Sequence, residues 1–490
     1  MSTRMYGRWE RPRSAGFFGL TWGVSMVGLG LVVMIMAAFL ITRSVSISAG
    51  LVVGALAVFA PLALTIDGRT GWEWALLRVQ FAAARNRGEL LYRSGRFARI
   101  PGVAKLPGLL ADSRLSEYET AGGRRFGMLH IRRSDHYTVV LRVIPRGKEL
   151  VDQPQIDAWV EGYGQFLAAQ SRGGEVVAVT AVLDNVVETR LKQGREVTRL
   201  VRPQAPEFAR AVMAEAAADT GGVGVRIEAR IALTYRAIGK GRVRRNEAEQ
   251  AREIGQRLQG ALSQLARAGL PATPLQAWEV LALVRTRYDL ASQRDVEDAG
   301  AQLVETQSWD SVGPISHVDR WDHYVHDGAR SVTWEMDAAP RGAVMETVLE
   351  ELLRPRADVP RKRVAIVYRL HSAAEATNLV DSDFRDAVAA EQTERGIASA
   401  SARIRVGNTQ ASREEQARGA GLTRFGVLVT VTDHLDGDLP GIEASVKAMS
   451  AASRLSVRRC YGFQASAFAA SLGIGLVLPE HASIPKKVSG

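Results

Sequence analysis

Two long charge-free runs stand near the start of this chain, and a single arginine separates them. Ser14 to Thr42 spans 29 residues and Ser44 to Ile66 spans 23, with Arg43 as the one charge between the runs. A helix needs about 20 consecutive apolar residues to cross the hydrocarbon core of a bilayer. The pattern predicts a two-helix transmembrane hairpin over residues 17–66, with Arg43 at its tip.

A cleaved signal peptide or a buried hydrophobic hairpin in a soluble domain could also produce such runs. The flanking charges favour the membrane hairpin. A basic tail over residues 1–16 carries Arg4, Arg8, Arg11 and Arg13, and residues 67–105 carry eight further Lys and Arg side chains. Because Lys and Arg stay on the cytoplasmic side of a membrane, these flanks predict a multi-pass protein of the inner membrane with both termini cytoplasmic. A lipid bilayer would then be one of its partners.

Composition limits the other classes of partner. The 490-residue chain has a net charge of +11, but residues 1–105 carry nine of these excess charges. A nucleic-acid-binding domain is expected to be basic in its own right, so we predict no direct nucleic acid binding. The single cysteine, Cys460, excludes an internal disulfide and a multi-cysteine zinc site, which agrees with a reducing cytoplasm.

The segment after the hairpin, residues 67–115, predicts a juxtamembrane amphipathic helix followed by a Pro/Gly-containing linker. Trp72, Leu76, Val79 and Ala83 follow helical spacing, with Trp74, Leu77 and Phe81 beside them. The helix could lie on lipid headgroups or pack on the domain that follows, and the sequence leaves both interpretations open.

The rest of the chain predicts a large cytoplasmic α+β region of two lobes, residues 116–310 and 311–490. Helical patterns are inserted between strands that can pair antiparallel, which is typical of this fold class. The clearest strand is VGVRIEARIALTYRAI, residues 223–238, where apolar residues alternate with polar ones. This alternation predicts one buried face and one solvated face.

Nucleotide-binding motifs are incomplete in this sequence. A P-loop needs Gly-Lys followed by Ser or Thr, but Gly147-Lys148 is followed by Glu149 and Gly239-Lys240 by Gly241. We therefore predict no autonomous ATPase, no catalytic residue and no cofactor.

The stretch HVDRWDHYVHDG collects His317, His323 and His326 with Asp319, Asp322 and Asp327. If it were helical, Asp319, His323 and His326 would share one face and could hold a metal or act as acid and base. Such spacing arises easily in a polar segment, so we favour a polar interaction surface and predict no metal ligand.

The loop AIGKGRVRR places Lys240, Arg242, Arg244 and Arg245 at the end of the clearest strand. These cations could meet a phosphate, nucleic acid or an acidic partner, or form a solvated loop. The sequence does not decide between these roles.

The hairpin with its WEWALLRVQF stem resembles the small two-helix inner-membrane subunit of conjugative type IV secretion systems. The later order of elements, in VAIVYRLHSAAEA, TRFGVLVTVTD and AFAASLGIGLVLPEH, is similar to the amino-terminal domain of the secretion ATPase beside that subunit. Proteins with this fusion, encoded separately from their motor, belong to conjugative elements of actinobacteria.

The resemblance implies a non-catalytic inner-membrane scaffold component of a conjugative DNA transfer machine. It also implies docking of a separately encoded P-loop ATPase, with other type IV secretion subunits as partners and oligomerisation in the assembled machine left open. One alternative is the membrane subunit of a type VII secretion complex, which shares this layout. A membrane-bound metal-dependent enzyme and a nucleic-acid adaptor are the remaining alternatives.

Overall fold

A computed structural model gives the architecture of the chain. It describes residues 6–7, 22–98, 100–147, 150–189, 199–202, 204–218, 224–238, 244–340, 342–359, 361–393, 400–417, 421 and 423–481. The protein is α+β, with helices arranged around one large sheet whose neighbouring strands are all antiparallel.

The two charge-free runs form a helical pair, α1 (Trp22–Thr42) and α2 (Val45–Ala63). Arg43 forms the turn between them with a φ of +49°, and its N–H donates to the carbonyl of Phe39 at 2.9 Å. The predicted position of Arg43 at a hairpin tip is therefore confirmed.

The predicted membrane crossing is wrong. Within the described residues, no helix combines the length and the apolarity that a membrane span requires. In the second run, the absence of charge did not fix the end of the helix: the run leaves α2 at Ala63, after 19 residues, and continues into a strand, β1 (Thr65–Ile66). This finding overturns both the membrane-anchored fold class and the multi-pass localisation.

A short connection follows the helical pair. Strand β1 pairs with β2 (Arg69–Thr70), and α3 (Gly71–Asn86) begins directly afterwards. Thr70 caps α3, because its hydroxyl accepts from the Glu73 N–H while the Glu73 carboxylate accepts from the Thr70 N–H. The next strand, β3 (Leu91–Arg93), joins the edge of the large sheet.

The large sheet has 13 strands, and 11 of them follow the order β3-β10-β11-β12-β14-β13-β7-β8-β6-β5-β4. The strands after β3 are β4 (Ser113–Glu119), β5 (Arg125–Ile131), β6 (His136–Val143), β7 (Val176–Val187), β8 (Val225–Arg236), β9 (Ala272–Pro274), β10 (Ser316–Asp319), β11 (Tyr324–His326), β12 (Ala329–Ala338), β13 (Lys362–Leu370), β14 (Thr423–His434) and β15 (Ser456–Arg459). Strand β9 pairs with β6, and β15 pairs with β12. The two predicted lobes thus share one sheet through the pairing of β7 with β13.

Eleven further helices have described bounds: α4 (Gln153–Arg172), α5 (Glu207–Ala218), α6 (Glu247–Arg267), α7 (Ala277–Tyr288), α8 (Gln293–Ala299), α9 (Leu303–Thr306), α10 (Glu350–Leu353), α11 (Ala373–Thr393), α12 (Ala400–Ala417), α13 (Leu439–Ala452) and α14 (Gln464–Ser471). Helices α11 and α12 pack on each other and are inserted between the paired strands β13 and β14.

Both faces of the sheet are covered, and we call them the first and second face. On the first face, α7, α14 and the buried segment 472–477 pack over both halves of the sheet. On the second face, α4 and α6 cover the strands β5 to β8, while α10 and α13 cover β12 to β14. Because the cover of the first face crosses from one half of the sheet to the other, it joins the two halves in one core.

Candidate functional site

The N-terminal helical pair is fastened to the sheet by a set of charged side chains next to the β1–β2 turn. Arg69 is 7% exposed, and its Nη2 donates to Oε1 of Glu335 on β12 at 2.7 Å. Arg458 on β15 donates to the same Glu335 oxygen at 2.8 Å and to Asp337 at 3.2 Å. Two guanidinium groups from distant parts of the chain therefore share one carboxylate, which fixes the turn on the sheet.

Aromatic side chains of α3 continue this contact. Trp74 lies 5.2 Å from Tyr461 and 6.1 Å from Trp321, measured between ring centroids, and Phe81 meets Trp321 edge-on at 5.3 Å. The guanidinium carbon of Arg78 lies 4.0 Å from the centroid of the Trp321 ring, which is a cation–π geometry.

We call these eight residues the stem-docking cluster: Arg69, Trp74, Arg78, Phe81, Trp321, Glu335, Arg458 and Tyr461. The helical spacing of positions 74, 78 and 81 places three of them on one face of α3. Of the two sets of apolar residues that the sequence places on this helix, Trp74 and Phe81 make the contacts, whereas Trp72, Leu76 and Val79 are 45%, 46% and 65% exposed.

A glycine allows the close packing of Trp321 in this cluster. Gly462 has a φ of +80°, and a Cβ placed there would lie 2.8 Å from the Trp321 ring. Its N–H also donates to the carbonyl of Trp321 at 2.7 Å. A side chain at this position would strain the backbone and displace the indole.

The His317–Asp327 stretch is not a helix, so Asp319, His323 and His326 do not share the face that a helix would give them. It forms the hairpin of β10 and β11, in which His317 stands directly opposite His326. His317 Nδ1 bonds to the Tyr324 hydroxyl at 2.8 Å, while His326 bonds to the Tyr288 carbonyl at 2.5 Å and the Ser331 hydroxyl at 2.8 Å. Burial lowers the pKa of both imidazoles to about 4, so both are neutral at pH 7.

The acidic members of this stretch hold the backbone in place. Asp319 accepts the N–H of Ala465 at 3.1 Å, in the first turn of α14, and burial raises its pKa to about 7. Asp327 accepts the N–H groups of Ile315 and Ser316, at 2.8 and 3.1 Å. Among the described residues, no three His, Cys, Asp or Glu side chains converge closely enough to hold a metal ion.

His323 and Asp322 bond to each other at 2.9 Å, and Asp322 also lies 3.5 Å from Arg459. The six His and Asp side chains of this stretch therefore have separate partners and do not converge on one point. They form a structural hairpin whose polar groups are bonded within the fold.

The basic loop is only partly described, since Lys240 and Arg242 lie outside the described residues. Arg244 pairs with Asp135 at 2.9 Å, and Arg245 pairs with Glu175 at 3.2 Å. These two arginines are bonded within the fold and do not extend a free cationic surface.

A buried charge cluster on the first face was missed by sequence reasoning. Asp184 on β7 bonds to Arg230 at 3.0 Å, Arg287 at 2.7 Å and Arg363 at 3.3 Å. Burial alone would raise the pKa of Asp184, but the three positive charges lower it below its ordinary value. Arg230 also donates to the carbonyl of Leu472, so this cluster ties β7, β8, β13, α7 and the segment after α14 together.

The fold and the stem-docking cluster define a class of protein in which an N-terminal helical pair is anchored on a large antiparallel α+β platform. In the comparison with known families, a domain of unknown function (DUF8461) matches residues 13–73. No curated protein matches the chain. The match spans α1, α2 and Arg69. Glu335 on β12, which accepts from Arg69, and Arg458 on β15, which shares that carboxylate, lie outside it.

Proposed function

We propose that the chain is a non-catalytic scaffold component of a conjugative type IV secretion machine, which docks a separately encoded P-loop ATPase. The observation that carries this proposal is the attachment of the helical pair to the sheet through the stem-docking cluster. A sheet covered on both faces is a rigid support, and a helical pair fixed on it can hold a constant position relative to a bound motor.

The polar side chains that most suggest catalysis are bonded inside the fold, and this supports a scaffold role. The histidine-rich hairpin, which is the stretch most suggestive of catalysis, bonds its imidazoles to Tyr324, Tyr288 and Ser331 in the interior. General acid–base catalysis needs a group whose pKa lies near the working pH and which can reach a substrate. His317 and His326 are 5% and 0% exposed and have a pKa of about 4, so they do not meet these conditions.

The resemblance of the last segments to a secretion ATPase domain supports the choice of partner. The stretch AFAASLGIGLVLPEH forms the end of α14 and then an apolar segment whose Leu472, Ile474 and Leu476 are buried under the sheet. The stretch is thus part of the core of the platform.

The proposal is tested by affinity purification of the tagged chain from its native host after brief crosslinking. Recovery of a P-loop ATPase together with other conjugation proteins is the expected result. The same purification is repeated with Trp321→Ala, which weakens the stem-docking cluster. Leu76→Ala, on the exposed side of α3, is the matched control. Recovery of type VII secretion components, or of the chain alone, would contradict the proposal.

A further inference from the structure

Strand β4 forms one edge of the large sheet and pairs only with β5 among the described strands. Backbone hydrogen bonds show which of its groups point outward. Arg132 N–H donates to the Asp112 carbonyl at 3.2 Å, and Thr120 N–H donates to the Arg124 carbonyl at 2.8 Å. The even-numbered positions along β4 therefore bond toward β5, since the direction alternates along a strand.

The odd-numbered positions point away from the sheet. Gly127, which faces Glu117, donates its N–H to the Leu275 carbonyl at 2.7 Å on the β6 side. When two facing residues do not exchange hydrogen bonds, their N–H and C=O groups point away from each other. The backbone N–H and C=O of Glu117 therefore point away from β5, out of the edge of the sheet. Leu115 and Glu119 share this direction, and their backbone groups have no hydrogen-bond partner within the described residues. Ser113 shares the direction but is 4% exposed, because Trp309 packs there and donates its indole N–H to the Ser113 hydroxyl.

An open edge of this kind is a template for a further strand. A second copy of β4 can pair antiparallel only in a register that joins odd positions to odd positions. Centred on Glu117, the register would set Glu117 against its own copy, and centred on Leu115 it would set the buried Ser113 opposite Glu117. Centred on Ser116, it sets Arg114 opposite Tyr118 and Leu115 opposite Glu117, with no like charges facing each other.

The charges around β4 fit the register centred on Ser116. Arg114 is exposed and has no ion pair among the described residues of its own chain. On the same side of the strand, Glu247 Oε1 accepts from the Ser116 hydroxyl at 2.7 Å and from the Tyr118 hydroxyl at 3.2 Å. Since Arg114 of the second copy would stand opposite Tyr118, its guanidinium would lie beside the Glu247 carboxylate, and the two-fold axis repeats this contact.

We propose that the protein forms a two-fold dimer through antiparallel pairing of β4 with β4 of a second copy, centred on Ser116. The pairing joins the two sheets into one and is independent of the secretion function proposed above. The strand that pairs with β4 belongs to a second copy of the chain, because β4 is complementary to itself in charge and in hydrogen bonding.

The test uses cysteine crosslinking in the full chain. In a dimer centred on Ser116, the two Ser116 Cα atoms are about 4.5 Å apart, within the range of a disulfide. Ser116→Cys should therefore give a disulfide-linked dimer under mild oxidation. The control Asp112→Cys places an exposed thiol on the same edge, where the two copies would be about 27 Å apart, and should stay monomeric on a denaturing gel. The native Cys460 is 0% exposed and does not compete.

A second pair of variants tests the pairing without an added thiol. Glu117→Pro removes an outward N–H and leaves the hydrogen bonds to β5 intact, whereas Glu117→Ala keeps that N–H. Light scattering should give a dimer mass for the unsubstituted chain and for Glu117→Ala, and about half that mass for Glu117→Pro. A monomeric unsubstituted chain, equal masses for the two variants, or equal crosslinking of Ser116→Cys and Asp112→Cys would overturn the proposal.

Discussion

Arg78 on α3 lies over the face of Trp321, with its guanidinium carbon 4.0 Å from the centroid of the indole ring. This contact joins a helix next to the N-terminal pair to the loop between β10 and β11. Phe81 and Tyr461 pack on the same indole, at 5.3 and 5.9 Å between ring centroids. Trp321 is therefore the residue through which α3 and the sheet are most directly coupled.

Replacement of Trp321 by alanine should release α3 from the sheet without unfolding the platform. The lost aromatic and cation–π contacts should cost about 2 kcal/mol, because the indole is only partly buried. Amide hydrogen exchange along α3 should accelerate about 30-fold, with little change in β7 or β8. Leu76→Ala, on the exposed side of α3, should leave the exchange unchanged. Equal protection in both variants would show that Trp321 does not hold the helix.

Removal of the negative charge of Asp184 should be among the most destabilising single substitutions. Asp184→Asn leaves the buried Arg230, Arg287 and Arg363 around a neutral amide, which should cost about 3 to 5 kcal/mol. Denaturant unfolding at pH 7 measures the loss, with the exposed Asp310→Asn as control.

The lowered pKa of Asp184 also sets the pH dependence of this contribution. Because the folded pKa lies below the unfolded value of about 3.9, the stabilisation is complete above that pH and declines as the pH falls below it. The difference between the unsubstituted chain and Asp184→Asn should therefore shrink at acid pH. A difference that stays constant down to about pH 2 would contradict this role.

Ionisation of Asp319 should affect the stability of the fold in the direction opposite to that of Asp184. Burial raises its pKa to about 7, whereas the unfolded value is about 3.9, so the folded state holds the proton more tightly. Its effect on stability should become less favourable as the pH rises from about 4 to 7. Asp319→Asn keeps an oxygen for the Ala465 N–H and should stabilise the protein by about 2 kcal/mol at pH 8 and little at pH 4. Unfolding curves for both proteins across this range give the measurement, and a pH-independent difference would refute it.

Lys362 is 1% exposed on the second face, where its ammonium donates to the Arg354 carbonyl at 2.8 Å. Burial lowers its pKa to about 8 from the ordinary 10.5. The unfolded chain therefore binds more protons between pH 8 and 10.5, and stability should rise with pH over that interval. Lys362→Met should stabilise the protein by about 2 kcal/mol at pH 7 and lose this advantage above pH 10.5. The exposed Lys447→Met is the control, and an equal effect of both substitutions would contradict this role of burial.

The sequence was informative where the signal is local. The alternation over residues 223–238 predicted a strand, and β8 occupies Val225–Arg236. Its polar face was predicted to be solvated, but Arg230 is 4% and Thr234 is 0% exposed. The side chain that neutralises Arg230 is 46 residues earlier, and helix α14, which covers this face, follows β15, so alternation alone could not indicate burial.

The same limit applies to the His317–Asp327 stretch and to α3. Helical spacing of Asp319, His323 and His326 presupposed a helix, whereas the stretch pairs as the β10–β11 hairpin, in whose turn the Arg320 N–H donates to the His323 carbonyl at 2.9 Å. The sequence of α3 also left open what the helix packs against, because the partners Trp321 and Tyr461 lie far away in the chain. The periodicity of one segment does not identify the distant segment that it contacts.

The scaffold function is tested most directly with purified components. The full chain is mixed with the P-loop ATPase encoded nearest to it, and both complex formation and ATP hydrolysis are measured. A non-catalytic scaffold should form a stable complex with the ATPase and should not hydrolyse ATP by itself. Hydrolysis by the chain alone at an ordinary enzymatic rate of about 1 per second or faster, or the absence of any complex, would contradict the scaffold function.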